Sequence, residues 1–318
     1  MSEKTAFLFA GQGSQSTGMG KDFYDLYPEF KMIFDSAKLD FDLKMVCFQN
    51  PDNMLMQTQY TQPCMVAFAC GIIEILRKKG ITPDYSCGLS LGEYSALYSA
   101  GVWSFDDTMS IISTRAKAMA DASKEIETSM VAIIGLDSTT VEECCSRAHD
   151  SGIVSICNIN CPDQIVIGGD KIAVEKAVSL SKEAGARRCI PLSVSGPFHT
   201  EYMKPAGEAL KTKLSDVSFK TPSSEVLFNY LGGPNLRGED ISYLLVNQIQ
   251  HTVRMMDCIK YLINHGVRSF VEIGPGSALS GFVRKTLKDM QIDTDGFFIH
   301  SINNVDDIGI ICNSLRNI

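Results

Sequence analysis

No stretch of this 318-residue chain approaches the ~18 consecutive apolar residues that a membrane-spanning helix needs. There is no basic run and no interleaving of basic with aromatic residues, and the formal net charge is −8. That balance excludes a general nucleic-acid binder. C-x-x-C is absent, and the eleven cysteines form an odd count. Cys144-Cys145 and Cys157…Cys161 lack the paired spacing of a zinc site. Cys64 and Cys70 sit in an apolar helical run and Cys157 in a strand, which predicts free, buried thiols in a reducing cytoplasm. The five histidines (His149, His199, His251, His265, His300) are scattered without H-E-x-x-H, so no metal site is expected. Met1–Ala10 has an apolar part too short for a signal peptide and runs directly into Gly11. Repeats, low-complexity segments and long linkers are also missing.

What is present is ordinary in bulk, with 45% hydrophobic and 21% charged residues. The length allows one large domain with a smaller insert. The chain is organised around Cys87-Gly88-Leu89-Ser90-Leu91-Gly92-Glu93, which reads G-x-S-x-G-E. A short approach precedes it, and a helical stretch closed by Gly101 follows. Strand, sharp turn and helix are the context a nucleophile elbow requires. Flanking glycines permit a tight bend and close backbone approach, pushing the Ser90 hydroxyl to the turn tip. The helix start behind it offers free N–H groups to an oxyanion. A bare G-x-S-x-G also fits a serine in an ordinary loop.

Residues 5–10 read as a buried strand running into Gly11-Gln12-Gly13-Ser14-Gln15. This turn fits neither G-x-G-x-x-G nor a Walker loop, so nucleotide binding is disfavoured. Amphipathic helices are predicted at 22–36 and 62–79, the second with Pro63 at its start, and another around 105–122 that contains Arg115. From about 129 to 193 the order becomes β-α-β-β-α-β: strands at 130–135, 153–158, 164–168 and 188–192, helices at 138–149 and 170–184. Ser138 or Thr139 is the expected N-cap of the first helix, and Asn160-Cys161-Pro162-Asp163 the turn of a hairpin. This is the order of a ferredoxin-like unit. Residues 127–195 are therefore read as a small subdomain inserted into an α/β body made of 1–126 and 196–318. Further helices are expected at 200–213, 240–249 and 252–265, with strands near 225–229 and at 270–273.

A serine hydroxyl needs a base to take its proton. His199 stands apart, following Ser195-Gly196-Pro197-Phe198 where the chain leaves the small subdomain. A lone histidine is more often structural or at the surface than catalytic, and Arg115 by spacing alone reads as a solvated helix arginine.

The motifs taken together resolve this. Phe9-Ala10-Gly11-Gln12-Gly13-Ser14-Gln15, Thr58-Gln59-Tyr60-Thr61-Gln62-Pro63, Gly88–Glu93, Arg115-Ala116-Lys117-Ala118-Met119 and Asn158-Ile159-Asn160-Cys161-Pro162 follow one another. Val194–His199, Gln248–Arg254 and Val271–Gly276 complete the series. In this order they resemble the malonyl-CoA:acyl carrier protein transacylases of bacterial fatty acid synthesis, over nearly the whole chain. The resemblance implies an α/β-hydrolase-like body with a ferredoxin-like insert, and ping-pong acyl transfer through a malonyl ester on Ser90. His199 would be the general base, and the backbone carbonyl of Gln248 would orient it. The N–H groups of Gln12 and Leu91 would form the oxyanion hole. Arg115 would bind the malonyl carboxylate. Phe198 resembles the malonyl-selective form, a smaller residue there accompanying methylmalonyl, and Leu91 agrees. Asn160 would support the site across the cleft, although a plain turn asparagine is the competing view.

Malonyl-CoA is then a substrate, with no permanently bound cofactor and no metal. The implied partner is a holo, phosphopantetheinylated acyl carrier protein, with neither nucleic acid nor membrane, and the enzyme is expected as a monomer. Because both proteins are acidic, docking would need a local basic patch, for which Arg187 and Arg188 are candidates and Lys182, Arg284, Lys285 and Lys288 weaker ones. Leu89 stands where many relatives carry histidine, and Gly196-Pro197 and Thr252 also depart from the common pattern. The alternatives are a trans-acting acyltransferase that loads a polyketide synthase, or a serine thioesterase or lipase-like hydrolase. Arg115 argues against the hydrolase, which has no use for a cation in its acyl pocket.

Overall fold

The computed structural model describes residues 3–124 and 127–316. Its strands are β1 (Lys4–Phe9), β2 (Tyr85–Gly88), β3 (Thr128–Ile134), β4 (Val154–Cys161), β5 (Gln164–Asp170), β6 (Arg188–Pro191), β7 (Glu225–Phe228), β8 (Gly233–Pro234), β9 (Val267–Ile273) and β10 (Phe298–Ile302). Among the described residues they form two sheets, ordered β10-β9-β1-β2-β7-β8 and β4-β5-β3-β6. The first is parallel except where β8 turns back on β7. The second is antiparallel, with the strand order of a ferredoxin-like unit.

β1 lies at the centre of the parallel sheet, and its Ala-Phe-Leu-Phe run is buried on both faces, as such a position demands. Phe9 is level with Gly88 of β2 and with Ile273 of β9. The loops after these three strands therefore open at one edge, where the chain leaves β1 in opposite directions. That is where open α/β sheets place their ligands. In the small sheet β3 alternates. Val131 and Ile133 pack against the helices Ser138–Ala148 and Lys171–Glu183, while Met130 and Ala132 join the body's core. One strand thus belongs to both hydrophobic layers.

Several sequence readings shift. The helix expected at 22–36 is two, Lys21–Leu26 and Pro28–Ser36, because Pro28 disfavours helical geometry at Tyr27, which is extended (φ −111°, ψ 113°). The helix expected at 62–79 spans Thr58–Lys78, so Pro63 lies inside it. The Thr61 hydroxyl donates to the carbonyls of Leu55 and Gln57, holding that first turn. Asp137 caps Ser138–Ala148 by accepting from the Thr140 N–H, in place of Ser138 or Thr139. The hairpin turn narrows to Pro162-Asp163, since Asn160 and Cys161 remain in β4. The helix expected from 252 begins at Met255. Val253 pairs instead with β4, donating to the Cys157 carbonyl and accepting from the Ile159 N–H. Helices Ala278–Asp289 and Val305–Arg316 were not legible beforehand.

The proposed limits of the small unit, 127–195, bracket the antiparallel sheet. Residue 126 and the chain ends 1 and 318 lie outside the described residues. All eleven cysteines are free, and ten are buried. Among the described residues no helix is long and apolar enough to cross a membrane, and no cluster of three or more histidine, cysteine or acidic residues is placed to hold a metal.

Candidate active site

Ser90 stands between β2 and the helix Gly92–Ser99. Its φ of 51° lies in the left-handed region, which costs a non-glycine residue about 1–3 kcal/mol. The flanking glycines serve close approach rather than a special φ. A Cβ on Gly92 would lie 2.1 Å from the Phe9 carbonyl oxygen, and one on Gly88 would lie 2.0 Å from the carbonyl carbon of Gly92. The strand, the turn and the helix are packed backbone to backbone, and Ser90 takes the strained angle itself.

His199 follows the Gly196-Pro197-Phe198 turn, also with a left-handed φ of 64°. The Thr200 hydroxyl donates to the Pro197 carbonyl and fixes that turn. Nε2 of His199 is 2.7 Å from Ser90 Oγ, and Nδ1 is 2.8 Å from the Gln248 carbonyl oxygen. A carbonyl only accepts, so Nδ1 carries the proton and Nε2 is left to accept from the serine hydroxyl. Burial, then the charge of Arg115, lowers the imidazole pKa to about 3, against the raising effect of the Gln248 carbonyl. The ring is neutral at neutral pH, as a resting base must be.

Arg115 is not a solvated helix arginine. It projects from the helix Phe105–Ala122, whose start is fixed by a Ser104–Asp107 capping box, and is 1% exposed. One terminal nitrogen donates to Gln62 Oε1 (2.8 Å), the other to Ser90 Oγ (3.0 Å) and Gln248 Oε1 (3.2 Å). The guanidinium also lies over the Tyr94 ring, 5.1 Å from its centroid. Its partners are neutral, and Nε has none among the described residues. Burial pulls its pKa below the usual value, with Tyr94 and Glu93 opposing. Glu93 is itself pushed up to about 8 by burial, against the hydrogen bond from the Asn229 N–H, the nearby Gln248 amide and the charge of Arg115. This pocket holds a buried cation with no ionised partner in contact, and it suits an anion.

These groups meet in a cavity of about 270 Å³ between body and small sheet. Gln12, Leu91, Phe198 and Asn160 all line it. Among the described residues the backbone N–H groups of Gln12 and Leu91 donate to no protein acceptor. The Gln12 side chain donates to Thr58 Oγ1, which is hydrogen-bonded to Ser195, so the first glycine turn is tied down. Asn160 is buried, and its Oδ1 has no partner among the described residues. Arg187 and Arg188 do not line the cavity. Arg187 is held by Asp163 at 2.9 Å, and Arg188 is exposed at the start of β6.

Sequence reasoning missed four contributors. Glu93 and Gln62 lay within quoted motifs without a role, and only the backbone of Gln248 was singled out. Its side chain also donates to the Ser90 carbonyl (2.7 Å). Asn229, fully buried beyond β7, carried no sequence signal.

Residues 6–308 match the family model described as acyl transferase domain. A malonyl CoA-acyl carrier protein transacylase of Bacillus subtilis is 42% identical over 285 residues, covering 89% of this chain and 90% of that protein. The crystal structure of the transacylase of that name from Clostridium perfringens superposes with a TM-score of 0.92 at 37% identity, covering 99% of this chain and 98% of the other. A malonyl-transacylase solved in complex with a type II polyketide synthase acyl-carrier protein gives a TM-score of 0.90 at 34% identity, over 98% and 99% of the two chains. With this likeness in sequence and fold, and a serine–histidine pair at the edge where the three loops meet, the chain belongs to the acyl transferase domain family, among the malonyl CoA-acyl carrier protein transacylases.

Proposed function

We propose that the chain transfers the malonyl group of malonyl-CoA to the phosphopantetheine thiol of a holo acyl carrier protein for fatty acid synthesis, through an ester on Ser90. The observation that carries this reading is the buried Arg115 guanidinium, in hydrogen-bond contact with the oxygen of the serine. A malonyl unit esterified there would bring its free carboxylate within reach of the cation and give it an ionised partner. In the first half-reaction Ser90 Oγ attacks the thioester carbon while its proton passes to His199 Nε2. The oxyanion takes the N–H groups of Gln12 and Leu91. Collapse expels the CoA thiolate, which leaves with the proton from His199. In the second half-reaction the carrier thiol gives its proton to His199, attacks the ester, and releases Ser90 with that proton. The Gln248 carbonyl, bonded to Nδ1–H, stabilises the transient imidazolium, so no carboxylate is needed as the third member. Phe198 and Asn160 bound the acyl pocket from the His199 turn and the small sheet. A polyketide synthase carrier is the second candidate recipient, supported by the 34%-identical neighbour solved with one.

The test is intact-protein mass after brief exposure to malonyl-, acetyl- and methylmalonyl-CoA, for the wild type and Ser90→Ala. A malonyl adduct on the wild type only, discharged by a holo carrier protein, is the expected result. Preferential acetyl labelling would remove Arg115 from the acyl pocket, and release of free CoA without an adduct would make the protein a hydrolase.

A further inference from the structure

The strained backbone of Ser90 must be held by its surroundings: the Gln248 side chain donates to its carbonyl, and Asn229 grips the turn at two points. Asn229 Oδ1 accepts from the Ser90 N–H at 2.6 Å, and its Nδ2 donates to the Gly88 carbonyl at 2.7 Å. Both ends of the carboxamide thus grip the same turn. The position follows from the sheet. Leu227 of β7 pairs with Cys87 of β2, and beyond that point the strands part. The Asn229 side chain supplies the donor and acceptor that the backbone ladder no longer offers. Asn229 is in turn fixed from below, its own N–H donating to Glu93 Oε2 at 2.7 Å in the first turn of the elbow helix. Its carbonyl accepts from the Arg254 N–H at 3.0 Å.

We propose that Asn229 is a positioning residue for the nucleophile, its carboxamide clamping the Ser90 N–H and the Gly88 carbonyl so that Oγ stays on line with His199. The proposal rests on Ser90 being the nucleophile. The clamp also directs the Ser90 N–H away from any oxyanion, leaving the Leu91 N–H for that purpose. Losing it lets the turn relax toward ordinary angles, and a shift of about 1 Å in a reacting atom costs on the order of a hundredfold in rate.

The test uses a fluorophosphonate, which labels activated serines without any malonyl recognition, on the full chain. Asn229→Asp is nearly isosteric, and its effect depends on its protonation. Glu93 from the elbow helix is the carboxyl in contact with this position, and the Cys87 and Cys258 thiols of β2 and the helix Met255–Asn264 are buried nearby. Arg254 faces it through its backbone, its side chain being paired with Asp257. Arg115 lies beyond Glu93. Buried beside a second carboxyl, the new aspartate stays protonated in mild acid and can donate to Gly88. Ionised, it has no donor and repels that carbonyl.

Labelling of Asn229→Asp should therefore approach the wild-type rate near pH 5.5 and fall by about a hundredfold by pH 8.5, where the wild type shows no such fall. With malonyl-CoA, kcat should follow the same curve with KM unchanged. Asn229→Ala should be slow at every pH. Should it fail to fold, the aspartate variant alone carries the test. An Asn229→Asp profile parallel to the wild type, with thermal stability also unchanged, overturns the clamp. If the wild type is labelled no faster than Ser90→Ala, the nucleophile assignment falls instead.

Discussion

Glu93→Gln separates the electrostatics of this site from its packing. Glutamine has the volume of the native side chain and keeps an oxygen to accept the Asn229 N–H, so the clamp stays intact. What changes is titration. The folded-state pKa of Glu93 is raised to about 8 from 4.5, chiefly by burial. Folding therefore favours the protonated form, and the stability this gives is complete below pH 4.5 and lost as pH rises toward 8. Integrated between pH 5 and pH 7, the loss is on the order of 2–3 kcal/mol. His199 works in the opposite sense. Its folded pKa is lowered to about 3 from 6.5, so its contribution is complete above 6.5 and lost as pH falls. Over the same window it adds about 2 kcal/mol. The two nearly cancel in the wild type. In Glu93→Gln the His199 slope stands alone. Urea unfolding followed by circular dichroism at pH 5, 6 and 7 should show the variant gaining on the order of 2–3 kcal/mol on the wild type between the extremes. A difference that is constant with pH would refute the assignment of a buried, protonated Glu93.

Arg115→Leu should cost malonyl transfer roughly 10²–10⁴-fold in kcat/KM, the loss of two charge-assisted hydrogen bonds of about 1.5–3 kcal/mol each, while acetyl acylation survives. Removing the cation also removes the second cause of the low His199 pKa, so the acid limb of acetyl acylation should move to higher pH. Single-turnover mass measurements across pH read both effects. Two glycines give a paired contrast by thermal and urea melts. Gly92→Ala sets a Cβ 2.1 Å from the Phe9 carbonyl oxygen and should destabilise by about 1–3 kcal/mol or more, despite alanine's better helix propensity. Gly281→Ala, in Ala278–Asp289 with nothing within 4 Å of the added carbon, should stabilise by about 0.5–1 kcal/mol.

The elbow and the small sheet were legible because each depends on local chemistry, whereas His199 became the base only through the family resemblance. Glycines mark where backbones touch, and the β-α-β-β-α-β order marks the small sheet. The burial of Arg115 was not legible from helical spacing. Whether a helix face meets water or a neighbouring sheet is decided by packing, and only the family resemblance placed the arginine against a ligand. Asn229 was invisible for a related reason. Its function comes from where β2 and β7 part, 139 residues apart along the chain from the serine it holds. Pro63 misled in the other direction, since a helix can run through a proline when side chains such as Thr61 hold the preceding turn.

The segment from Gln248 to Val253 is shared property. At one end its carbonyl steadies the His199 ring, and at the other Val253 is stitched to β4 of the small sheet. Six residues thus form a short link between the roof of the cavity and the base beneath it. The carbonyl that aims the imidazole and the backbone that anchors the small sheet are thus one continuous piece of chain.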